Sequence, residues 1–171
     1  MSLFQEQEPV YAFDSDALIT LERYYGDMAV FDALWSDLVW LAKVDRLKVI
    51  DFVFQELVDD YKGTSLIKSW LTKHRKLCYW ETGEQAMLLS QRVIRENLNS
   101  GFLKHQKVVG ERDEADPFLI GNAAVEKFVI VTKEKSTVSN KLPQVAFKYG
   151  ATSIGIADFL KERGFKLQRG S

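Results

Sequence analysis

The chain has 171 residues, 46% of them hydrophobic, and a formal net charge of -1 from 23 Lys and Arg against 24 Asp and Glu. That length, without a break in composition, fits one domain that can bury a core without disulfide or metal staples. The near-neutral charge argues against a polybasic protein that coats duplex nucleic acid, while leaving room for a local basic groove, and the lone Cys78 excludes an intrachain disulfide framework.

Residues 1–9 are polar and acidic, unlike a secretory signal, and no later run approaches a membrane span, so the chain reads as cytoplasmic with no membrane partner. Val10, Tyr11, Ala12 and Phe13 read as a strand that closes on Asp14, Ser15 and Asp16 and opens into a helical pattern at Ala17, Leu18, Ile19 and Leu21. Phe31, Leu34, Trp35, Leu38, Leu41 and Ala42 recur at helical spacing, which predicts an amphipathic helix over 29–44 with Trp40 off its stripe. Residues 47–50 predict a second strand. Val53, Phe54, Leu57 and Val58 share one face of the helix that follows, with Glu56 on another side. Helices are expected at 65–74 and 83–98, and between them Cys78 reads as a buried, inert thiol.

A polar loop follows over 99–112, bounded by Gly101 and Gly110. Phe118, Leu119, Gly121, Asn122 and Val125 mark another helix, 128–132 a strand and 133–140 a loop. The end reads as a helix over 144–149, a strand over 152–156 and a closing helix over 157–163 stopped by Gly164; residues 168–171 read as a disordered tail or cloning scar. Strands alternating with helices imply an α/β fold with a mostly parallel sheet covered on both faces.

Ligands of such sheets bind outside the carboxyl ends of the strands. Asp14 falls at such an end, and Glu56, Asp116 and Glu134 fall where the topology can bring them to it, with Thr132 closing the strand before Glu134. Hard divalent ions prefer oxygen ligands, and one or two of them can generate a nucleophilic hydroxide and neutralise charge on a phosphodiester without a histidine. His74 and His105 lack ligand spacing. Each acid also has an ordinary structural reading: Asp14 or Ser15 as a helix N-cap, Glu56 as a solvated residue on an acidic helix, Asp116 as an N-cap before Pro117, and Glu134 as a surface charge between lysines.

The joint order of these acids resembles the PIN-domain nucleases. VYAFDSDALI at 10–19 looks like the family's opening strand and turn, VFQEL at 53–57 like the helix that carries its second acid, and ADPFLI at 115–120 like its third-acid motif. VIVTKE at 129–134 is similar to the strand that ends in Thr-x-Asp, and 141–167 resembles the family's last helix, strand and helix. The resemblance implies a three-layer α/β/α PIN-like fold as one domain at 10–167, after an extension at 1–9. The Asp-Pro-Phe form and the aromatic helix near Trp35 look most like an uncharacterised branch associated with toxin–antitoxin loci. Two positions depart from the pattern: Asp16 stands where Asn is usual, and Glu134 replaces the usual last Asp.

The resemblance implies an endoribonuclease that uses Mg²⁺ or Mn²⁺ to cut single-stranded RNA, as the toxin of a type II toxin–antitoxin pair. Asp14, Glu56 and Asp116 would ligate or orient the ion, Glu134 would join directly or through water, and Thr132 would position the attacking water. Ser15 and Asp16 are secondary candidates. Cations for substrate phosphates are Lys104 and Lys107 in the loop before Asp116, and Lys133, Lys135 and Lys141 near the fourth acid. The run Lys73, His74, Arg75 and Lys76 also fits an ordinary helix C-terminus. Trp35, Trp40, Trp70 and Trp80 either stack bases or belong to the core, and an apolar groove for an antitoxin, or a homodimer face, is expected around 35–40.

Two rivals stand beside this reading. AFDSDALIT also looks like the first motif of the haloacid dehalogenase phosphatases, with Asp14 as nucleophile, but only Asp158 follows the last strand where that family has an acidic pair. The other rival is a catalytically inactive PIN-like interaction domain, motivated by Glu134.

Overall fold

The computed structural model describes residues 8–103 and 114–166. Its elements run β1 (Tyr11–Phe13), α1 (Ser15–Tyr25), α2 (Asp32–Lys43), β2 (Leu47–Ile50), α3 (Asp51–Phe54) continued by a π-turn (Gln55–Asp59), α4 (Leu66–Cys78), β3 (Tyr79–Trp80), α5 (Glu84–Glu96), α6 (Ala115–Glu126), β4 (Val129–Thr132), α7 (Leu142–Lys148), β5 (Thr152–Gly155) and α8 (Ile156–Glu162). All five strands are parallel, in the order β3-β2-β1-β4-β5.

This order explains the composition of the strands. A central parallel strand is covered on both faces, so β1 and β2 are buried at every residue, and so are Ile130, Val131 and Thr132 of β4. The edge strand β5 keeps Thr152 exposed and the rest half-buried. Lys48 is the one cation inside β2; its ammonium pairs with Asp45 and lies 4.8 Å from the ring centre of Trp80.

The helices lie in two sets. On one side α1, α2 and α4 pack together, with α2 and α4 against β2; on the other, α6 packs on β4 and α7, and α5 covers α6. The chain closes through α8. Phe159 of that helix is fully buried with its ring edge-on to Tyr11 and Phe13 at 4.9 and 5.1 Å, and Arg163 just beyond it forms a two-pronged bond to Asp37 of α2 at 2.8 Å.

Most expected elements appear with shifted ends: α4 runs on to Cys78, α7 starts at Leu142 and α8 starts at Ile156. Two features were not expected. The apolar run around Cys78 splits into a helix end and a two-residue strand, β3, which pairs Tyr79 with Val49 and Trp80 with Ile50. The helix that carries Glu56 also changes pitch to a π-turn. Among the described residues no helix is long and apolar enough to cross a membrane.

Candidate active site

The strand order creates a switch point. From β1 the chain builds β2 and β3 on one side and then returns to lay β4 on the other, so the crevice opens between the carboxyl ends of β1 and β4. Phe13 pairs in register with Val131, and the next residues on the two strands, Asp14 and Thr132, stand side by side at that crevice.

Asp14 caps α1, its carboxylate accepting the Ala17 amide, while its own amide donates to the Val131 carbonyl at 3.1 Å. Thr132 donates its hydroxyl to the same carboxylate. Asp14 is only 3% exposed, and burial lifts its pKa to about 7 against these two bonds; the nearby charges of Asp16 and Glu134 push the same way. The cap is therefore also a buried acid whose charge is disfavoured, at the carboxyl edge of the sheet.

Glu56 is not the solvated residue that its acidic neighbourhood suggests. It is half-buried and accepts bonds from two helices, from the Ser15 hydroxyl and from the Ala115 amide at 3.0 Å. Ser15 accordingly does not cap α1; Asp14 does, and Ser15 serves Glu56 instead. Asp116 is not a cap either. Glu114 occupies that position, and Asp116 is half-buried in the first turn of α6, next to the Ala115 amide that Glu56 holds.

Glu134 is no ordinary surface charge. Its side chain is 13% exposed and accepts the Leu142 amide at 2.7 Å, capping α7 from a distance, with the Lys141 ammonium at 3.5 Å. The Glu134 amide in turn donates to the Thr132 hydroxyl oxygen at 3.1 Å. Asp16 pairs with Lys133 at 3.4 Å, and Lys135 is exposed on the same loop. Lys104, His105 and Lys107 lie outside the described residues.

One acid at this edge escaped the sequence reading. Asp51 follows β2 as Asp14 follows β1, and that parallel was the available signal. It accepts the Thr82 hydroxyl at 2.5 Å and the Thr82 amide at 3.2 Å, tying the ends of β2 and β3, and Asn122 of α6 donates to Thr82 at 2.9 Å.

The donor set fits a hard divalent ion in its chemistry: the acids and Thr132 at this edge offer only oxygen, and Asp14 gains most from a neighbouring positive charge. It does not form a ready cage. Among the described residues no three of His, Cys, Asp and Glu are grouped closely enough to hold a metal, and Glu56 and Glu134 are occupied by backbone amides. An ion here would be held by one or two carboxylates and complete its shell with water, as Mg²⁺ commonly does.

The tryptophans belong mainly to the core. Trp35 and Trp70 are buried with ring centres 6.1 Å apart, and Trp35 donates to the Tyr25 carbonyl at 2.7 Å; Trp80 meets Phe128 edge-on. Trp40 is exposed, as its place off the stripe implied. Between α2 and α4 runs a groove of about 600 Å³ lined by Trp35, Val39, Trp40, Leu66, Trp70 and His74. Burial pushes the Cys78 thiol up to about 12, consistent with an inert side chain.

A five-stranded parallel sheet flanked by helices, in the order β3-β2-β1-β4-β5, is a PIN-like fold. The chain belongs to the family described as Domain of unknown function (DUF4411), which matches residues 11–167. Solved structures that share the fold include VapBC2 from Rickettsia felis bound to a DNA fragment from its promoter, at 15% identity and TM-score 0.51 over 85% of this chain and 98% of that one. DNA-bound VapBC from Salmonella typhimurium gives 13% identity and TM-score 0.53 over 86% and 98%. No curated protein matches the chain.

Proposed function

We propose that the chain is a metal-dependent endoribonuclease that cuts single-stranded RNA in the cytoplasm and is the toxin half of a toxin–antitoxin pair. The observation that carries this reading is the Glu56 bridge: one carboxylate joins the first turn of α1 to the first turn of α6, beside Asp14 and Asp116, at the switch point of the sheet. Mg²⁺ or Mn²⁺, when bound, supplies positive charge to the phosphodiester and activates water. Asp14 and Asp116 are the residues we assign to hold it. Glu56 keeps their helices in register, and Thr132 fixes the Asp14 carboxylate through its hydroxyl. Glu134 contributes charge at longer range. Lys133 and Lys135, with Lys104 and Lys107 in the sequence that precedes α6, are the cations assigned to substrate phosphates.

The two solved structures named above are VapBC complexes, which supports an antitoxin as partner. The apolar groove between α2 and α4 is the surface we assign to it; a second copy of the chain is the other occupant considered. One observation favours an inactive interaction domain instead, namely that Glu134 is committed to the start of α7. Cleavage of a labelled single-stranded RNA with Mn²⁺, with Mg²⁺ and with EDTA, beside an Asp116→Asn control, decides between them. Metal-dependent cutting that the control lacks supports the nuclease; identical traces for both proteins refute it.

A further inference from the structure

A depression of about 550 Å³ opens beside the acids, beyond the ends of β4 and β5. We propose that it is a subsite for one nucleotide of a single-stranded RNA, and that Gly155 is the specificity-determining residue that keeps it open; this rests on the nuclease reading above.

The placement comes from the strand register. Asp14 stands beside Thr132, and Thr132 pairs with Gly155, so the three lie in a row across the carboxyl edge of the sheet. Neighbouring strands are about 4.8 Å apart, which sets Gly155 roughly 10 Å from Asp14 along that row. Thr132 and Glu134 line the depression and also stand at the acid edge, so the depression borders the acids.

The lining shows what would enter. Its lining combines the cations Lys133 and Lys135 with the apolar side chains of Ile154 and Ile156. Lys133 is shared with Asp16 at 3.4 Å, while Lys135 is exposed, so a free phosphate would leave the apolar side chains uncovered and an apolar ligand would leave Lys135 unused; a nucleotide offers a phosphate to the cations and a ribose or base to the isoleucines. Asp158 at the rim is paired with Lys161 at 3.1 Å, which mutes its repulsion of an anion.

Gly155 has no conformational reason to be glycine. Its φ of -76° suits any residue, and a Cβ built on it meets nothing within 4 Å. A side chain there would project into open space and would leave β4, β5 and the acids undisturbed.

The test measures binding of a fluorescein-labelled single-stranded RNA octamer to Asp116→Asn and to Asp116→Asn/Gly155→Leu by anisotropy, with wild-type cleavage in Mn²⁺ run in parallel. The added leucine is expected to raise Kd about tenfold, which corresponds to about 1.4 kcal/mol, with the melting temperature unchanged. Equal Kd values alongside active wild type overturn the subsite and leave the nuclease standing. No binding by Asp116→Asn together with no cutting by the wild type overturns both. Should the leucine variant fail to fold, Asp116→Asn/Lys135→Glu reads the same depression from an exposed side chain, and an unchanged Kd there overturns the subsite as well.

Discussion

At the scale of single residues, Asp14 holds two functions that oppose each other. As a cap it must accept the Ala17 amide, and as a buried acid it resists the charge that makes it a good acceptor. Its pKa rises from 3.8 to about 7 on folding, so between these values the folded chain keeps a proton that the unfolded chain has released. Stability from this group therefore grows as pH falls from about 7 towards 4, and the penalty is complete above pH 7. Asp14→Asn keeps an acceptor for the cap and removes the buried charge. Thermal melts from pH 4 to pH 8 are expected to show the variant gaining on the wild type as pH rises, by up to about 4 kcal/mol at pH 8.

At the scale of elements, two contacts position the site from outside it. Gly121 lets α6 lie directly on α5: a Cβ there would stand 2.5 Å from the Ala86 carbonyl oxygen and collide with the Ser90 hydroxyl. Neither neighbour can yield cheaply, because one is backbone and the Ser90 hydroxyl is bonded to that same carbonyl at 2.6 Å. Gly121→Ala is expected to destabilise the protein by about 1–3 kcal/mol in denaturant unfolding, through overpacking. The second contact is the Glu134 cap on α7. Glu134→Ala leaves the Leu142 amide without its acceptor and is expected to remove about 1 kcal/mol of stability and to speed hydrogen exchange at that amide, while Glu134→Gln restores most of both. If exchange at Leu142 is unchanged in Glu134→Ala, the long-range cap is not a feature of the protein in solution.

At the scale of the whole molecule, the five-stranded sheet gathers residues distant in sequence. Asp14, Glu56, Asp116 and Thr132 come from four elements that approach only because β4 lies beside β1 and α6 lies next to the π-turn. A ligand that binds only the folded state must stabilise it, by about 2.7 kcal/mol at one hundred times its Kd. Saturating Mn²⁺ is thus expected to raise the melting temperature of the wild type, with the rise lost in Asp14→Asn and reversed by EDTA. No rise at any Mn²⁺ concentration would favour the inactive interaction domain.

The linear chain determined the alternation of strands and helices and the parallel sheet, because burial on two faces leaves continuous apolar runs and strand ends leave abrupt polar ones. Phe13 followed by Asp14 and Thr132 followed by Lys133 are visible without coordinates. The structure alone decided what each acid touches. Glu56 and Glu134 carry the local signature of solvated charges, and their helix-end partners, Ala115 and Leu142, are supplied by other segments. Strand β3 was hidden for a related reason: two residues have no period, and only pairing with Val49 and Ile50 makes them a strand. Local patterns record which face of an element is buried; which segment covers that face is fixed by packing in three dimensions.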